Sequence, residues 1–168
     1  MLVCLAGATL WAQEPPVAKA TSQPAKPLHV TRILFSLSSG MCYGYCYALL
    51  EVEPGGATVL NQSRDNDKNN CPDLRVKGDL SDAHWKELTQ LVDREALLAL
   101  PDSIGCPGCV DEVVASLEVR FSNHTKKIVR YNFGRAPKEV QSLSARLAAL
   151  QEKLERELPP TTTRCGHG

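Results

Sequence analysis

Along one stretch of the chain Val113, Ala115, Leu117, Val119 and Phe121 alternate with Val114, Ser116, Glu118, Arg120 and Ser122. A two-residue period is that of a strand with one face on a core. Ser122, Asn123, His124 and Thr125 then form a polar hairpin turn, and Val129, Tyr131 and Phe133 give the return strand its inward face. Nearer the start, Ile33, Phe35 and Leu37 mark one face of a strand over Val30 to Leu37, and Cys46, Ala48, Leu50 and Val52 mark a second. Gly40 and Gly44 lie in the break between them. Pro54, Gly55 and Gly56 end the second strand, and Ala57 to Leu60 opens a third. A polar stretch over Asn61 to Asn70 and a short run from Leu74 to Val76 follow, before Gly78.

Spacings of three and four replace this period in two places. Ser81 suits a helix N-cap, with Leu80 and Trp85 at the two positions of a hydrophobic staple, and Leu88, Leu91 and Val92 continue the apolar face. Pro137 suits a first helical position, and Val140, Leu143, Leu147, Leu150, Leu154 and Leu158 follow until Pro159 and Pro160 stop the helix. At 1.5 Å per residue that helix is about 30 Å long, enough to cross a sheet diagonally. Its leucine stripe is read as cover for the sheet rather than as a dimer seam, because the adjacent sheet needs a cover. The order strands, helix, hairpin, helix predicts an α+β fold. Its antiparallel sheet has about five strands with two helices on one face, in a single domain over 30–158.

The ends of the chain carry an address. Leu2 to Trp11 is an apolar run that turns polar at Gln13, so 1–12 reads as a signal peptide cleaved after Ala12. No positively charged leader precedes the run, which points to a start upstream or a trimmed end. The run is too short to span a hydrocarbon core of about 30 Å, so no transmembrane segment is expected after cleavage. Val3 stands before Cys4 where a lipid-attachment signal wants a small residue, so no lipid anchor is read. Pro15, Pro16, Pro24 and Pro27 among Ala, Lys, Ser and Thr make 13–29 an extended linker, and 159–168 reads as a disordered tail. The expected location is exported, periplasmic or secreted.

Export changes the meaning of the cysteines. Without Cys4, six of the seven remain: Cys42, Cys46, Cys71, Cys106, Cys109 and Cys165. An even number outside the cytosol favours disulfides and leaves their connectivity open. If each strand or helix reverses the chain, Cys42, Cys46, Cys71, Cys106 and Cys109 meet at one rim. Pro107 and Gly108 occupy the central positions of a type II turn, which brings Cys106 and Cys109 within about 7 Å, Cα to Cα. That approaches the disulfide range and predicts a bond between them. Two other chemistries fit the Cys-Pro-Gly-Cys spacing, a redox dithiol and a zinc site completed by Cys42, Cys46 or Cys71. The dithiol needs a following helix to lower the thiol pKa, where a strand is predicted, and zinc is the cytosolic alternative. Structural disulfides are the reading adopted, with no metal and no cofactor.

Composition closes other routes. Over 168 residues, 19 Lys plus Arg balance 19 Asp plus Glu, so no net field draws nucleic acid or an anionic membrane. The sequence holds no metalloprotease helix, phosphate-binding glycine loop, nucleophile elbow or dinucleotide fingerprint. Asp65, Asp67 and Asn69 imitate the opening of a calcium loop, but Asn70 replaces its turn glycine and Val76 its closing glutamate. Asn61-Gln62-Ser63 and Asn123-His124-Thr125 match glycosylation acceptors. His84 and His124 are read as surface residues.

Three segments carry a resemblance: Cys42-Tyr43-Gly44-Tyr45-Cys46 after the first strand, Gly78-Asp79-Leu80-Ser81 before the Trp85 helix, and Cys106-Pro107-Gly108-Cys109-Val110-Asp111 before the hairpin. From about Val30 to Leu158 the chain resembles an uncharacterised family of bacterial exported domains, with Tyr47 where that family often has Pro. The resemblance implies a small α+β domain in the bacterial envelope and supplies no activity. The function expected is therefore that of a non-enzymatic, disulfide-stapled periplasmic or secreted domain that binds an envelope protein or another envelope component. Tyr43, Tyr45 and Asp111 on the cysteine rim are the candidate surface, since scaffold-fixed loops carry recognition and tyrosines give broad contact. A thiol-disulfide or zinc-linked activity at Cys106 and Cys109 is the alternative.

Overall fold

Alternation becomes pairing in the computed structural model, which describes residues 28–42, 44–63, 71–109 and 111–158. The elements are β1 (Val30–Ser38), β2 (Tyr45–Glu53), β3 (Gly56–Ser63), β4 (Leu74–Asp79), α1 (Asp82–Gln90), α2 (Arg94–Ala99), β5 (Val114–Phe121), β6 (Lys126–Asn132) and α3 (Lys138–Glu155). The strands form one sheet in the order β4-β3-β2-β1-β5-β6, with every neighbouring pair antiparallel. The first four follow each other as a meander. Helices α1 and α2 then carry the chain from the β4 edge to the far side of β1, where the β5–β6 hairpin pairs, and α3 follows β6.

The α+β class holds, but among the described residues the sheet has six strands rather than about five and the helices number three rather than two. The run at Leu74 to Val76 extends to Asp79 because its backbone pairs with β3 from Gly56 to Asn61, an interaction that residue periodicity does not display. Gly78 permits this edge to lie under α3, for a methyl built there would overlap Leu154 Cδ2. The added helix, α2, is too short to show a period. Asp93 caps it by accepting from Ala96 N, and Leu97 anchors it in the core.

One core lies between the sheet and the helices. Its floor is Ile33, Phe35, Leu50, Val52, Val59, Leu117, Val119, Val129 and Tyr131, and Leu88, Leu97, Val140, Leu143, Leu147 and Leu154 close it from α1, α2 and α3. Ser81 accepts from His84 N as the α1 cap, with Leu80 buried and Trp85 half-buried against the same core. Pro137 is the residue before the first turn of α3 rather than its first helical member. Phe133 was expected on the inward face. It lies just beyond β6, which ends at Asn132, and is 43% exposed, but its ring is on the inward side, 6.5 Å from that of Phe35 in the core floor.

Candidate functional site

Among the described residues no helix covers the other face of the sheet. Three cross-strand rows run over β2, β1, β5 and β6: Tyr47, Ser38, Val114 and Asn132; then Leu49, Ser36, Ser116 and Arg130; then Glu51, Leu34, Glu118 and Ile128. Serines at the middle of the sheet leave room that larger side chains on the flanking strands enclose. The result is a half-open groove of about 830 Å³, lined by Leu34, Ser36, Ser38, Tyr47, Leu49, Ser116, Glu118, Ile128 and Arg130 among others. That volume falls within the ~300–1,000 Å³ of small-molecule sites.

The segment between α2 and β5 forms one wall. Asp102, Ser103 and Pro107 line the groove. The segment is tied to β6 as a short parallel bridge, in which Arg130 N donates to Asp102 O at 2.9 Å and Ile104 N donates to Arg130 O at 2.8 Å. The Arg130 backbone is thus held between β5 and this segment, while its side chain is exposed. Its N–H and C=O point away from β5, which makes Arg130 and Ser116 a non-hydrogen-bonded pair, the kind whose side chains stand closest.

Charges in the groove are unequal in their pairing. Glu118, with a side chain 16% exposed, accepts from Arg120 Nε at 2.5 Å and faces Lys126 Nζ at 3.7 Å. Asp102 is bridged to Lys127 Nζ at 2.6 Å. Among the described residues Arg130 has no carboxylate partner.

The predicted cysteine rim forms at the Ser38 end of β1. Cys42 is bonded to Cys46 and Cys106 to Cys109, with Cα separations of 5.6 Å and 5.4 Å. Cys71 is buried and disulfide-bonded as well. Cys109 N donates to Cys106 O across the Pro107-Gly108 turn, and Gly108 adopts φ +86° there. Cys106 and Cys109 are exposed, and the next element after them among the described residues is the strand β5 rather than a helix. Cys165 and the Asp65 to Asn69 segment lie outside the described residues.

The rim tyrosines separate. Tyr43 lies outside the described residues. Tyr45 is only 8% exposed, packs on Cys71 and Leu74, and donates its hydroxyl to Pro72 O at 2.7 Å. Burial raises its pKa, and the Asp73 carboxylate adds to the rise. Asp111 is exposed, while the neighbouring Glu112 binds Asn132 and Arg135. Of the two glycosylation motifs, Asn61 is fully buried in β3, with neither side-chain amide atom paired, so the folded domain does not offer it. Asn123 is exposed in the β5–β6 turn, its Oδ1 accepting from Thr125.

Sequence reasoning missed the groove. Ser36, Ser116 and Arg130 look like members of an ordinary solvated face, and the one signal was apolar residues, Leu34, Leu49 and Ile128, at positions alternation assigns to water. No protein-family model, curated protein or solved structure matches this chain.

Proposed function

We propose that this chain is an exported, non-enzymatic binding domain, stapled by disulfides, whose ligand sits in the groove on the uncovered face of the sheet. The observation that carries this reading is the groove itself: a walled, half-apolar depression over the four strands β2, β1, β5 and β6, with an unpaired cation at one side. Export rests on the apolar run at 1–12, on two closed cysteine pairs and on the resemblance to envelope domains. No helix among the described residues is long and apolar enough to cross a membrane. Binding shifts from the rim to the groove because Tyr45 is committed to packing. The Cys106–Cys109 pair closes the turn whose Pro107 lines the groove wall, which favours a structural role over a thiol-disulfide or zinc-linked one.

A fragment library screened by methyl NMR tests the reading. Hits are expected to shift Leu34, Leu49 and Ile128 and to vanish in Ser116→Trp, which fills the floor. Hits scattered over the surface, or unchanged in that variant, return the groove to an ordinary solvated sheet face.

A further inference from the structure

We infer that the groove takes a small organic anion with one carboxylate and an apolar body, held with its carboxylate on Arg130 and Ser116 and its body over Leu34, Leu49 and Ile128. The inference rests on the groove being the binding site and adds the chemistry of what enters it. Both carboxylates of the lining already have cations, Glu118 with Arg120 and Lys126 and Asp102 with Lys127. The Arg130 guanidinium is the one lining charge left for a ligand. Its backbone is clamped on both sides, so the root of the side chain is fixed before any ligand arrives. An exposed guanidinium on a fixed stem, paired across the strands with Ser116, suits a carboxylate, which can accept from both, and such charge-assisted bonds are the stronger kind.

The rest of the row sets the shape of the body. Arg130, Ser116, Ser36 and Leu49 follow one another across four strands. At strand spacings of ~4.8 Å the row is about 14 Å long from its charged end to its apolar end. Leu34 and Ile128 flank it in the next row. The cation therefore stands at the β6 end of its row with Ile128 beside it on the same strand, and the apolar positions continue from Ile128 through Leu34 on β1 to Leu49 on β2. A ligand charged throughout would desolvate against the leucines, and a wholly apolar one would leave the guanidinium covered and unpaired.

Octanoate and its neutral counterpart octanamide are the probes, titrated into the whole exported protein at pH 7 and low salt. Octanoate is expected to shift the Leu34, Leu49 and Ile128 methyls and to bind roughly tenfold tighter than octanamide, the factor expected of one charge-assisted hydrogen bond. Arg130→Gln should bring the two probes within about twofold of each other without moving the melting temperature, since the side chain has no partner to lose. Equal binding of the two probes to the unaltered protein overturns the carboxylate inference alone and leaves the groove reading standing. No shift of the groove methyls with either probe overturns both. A preference for octanoate that survives Arg130→Gln overturns the assignment to this residue.

Discussion

Tyr131 and Ser144 share a hydrogen bond inside the contact between β6 and α3, and both side chains are buried. Tyr131→Phe strands the Ser144 hydroxyl and is expected to cost about 1–3 kcal/mol, whereas Tyr131→Phe with Ser144→Ala, which removes both partners, should recover much of that. Urea titration of the two variants measures it. Burial raises the Tyr131 pKa and the Ser144 bond offsets part of the rise. The folded state thus keeps a proton that the unfolded state loses above its ordinary value of about 10. Stability from this group is complete below pH 10 and falls as pH climbs from there toward the folded-state value. In Tyr131→Phe the alkaline decline should be shallower, with Tyr45, whose pKa burial also raises, contributing to what persists. On β5, Leu117→Ala should cost about 2–5 kcal/mol, while Glu118→Ala, breaking a half-exposed ion cluster, should cost near 1 kcal/mol; equal costs would refute the inward and outward assignment. That contrast was legible in the sequence because β5 alternates cleanly. Ser116 was not, because a serine on an outward position carries no mark of the depression its neighbours build.

Among the elements, α3 and the β4 edge are fitted at one point, where Gly78 lies under Leu154. Gly78→Ala is expected to destabilise by about 1–3 kcal/mol through overpacking. Combined with Leu154→Ala it should cost less than the two single changes added, since the smaller side chain vacates the space the methyl needs. A double-mutant cycle in urea gives the coupling, and strict additivity would mean the two do not meet. The long helix and the α1 cap were readable, as Val140, Leu143, Leu147 and Leu154 recur at helical spacing and Ser81 stands before a staple. What escaped was structure made by partners. β4 exists through pairing with β3, and α2 through a cap at Asp93 and one buried leucine. Six residues do not complete two helical turns, so no period could announce them.

For the whole molecule, the disulfides and the proposed export are tested together. Protein recovered from an oxidising compartment should show Cys42–Cys46 and Cys106–Cys109 as linked peptides without reductant, and stoichiometric zinc on reduced thiols would end the structural reading of Cys106 and Cys109. Because their loop is short, Cys106→Ser with Cys109→Ser should lower stability by no more than ~2 kcal/mol on the chain-entropy account. Intact mass of the mature protein should begin at Gln13. The Cys106–Cys109 pair was legible from the Pro107-Gly108 turn between them, whereas the count of chain reversals behind the rim left out α2. Which rim residues face solvent was not legible, because the fate of Tyr45 depends on Cys71 and Leu74, which the chain reaches only after β3.

The order of strands also has a kinetic consequence. β1 to β4 pair with their sequence neighbours, and so do β5 and β6, but β1 meets β5 across a seam where Ser36 and Ser116 are about 80 positions apart. Closing so long a loop is an entropic cost that local pairings do not bear, so the seam is expected to zip after the meander and the hairpin have formed. The two serines are the groove floor. The groove is therefore not formed until the two blocks dock, and on the proposed reading a molecule lying across the seam would fasten the last pairing made. Such a molecule should lengthen the lifetime of the native state by slowing unfolding, with little effect on the rate of refolding.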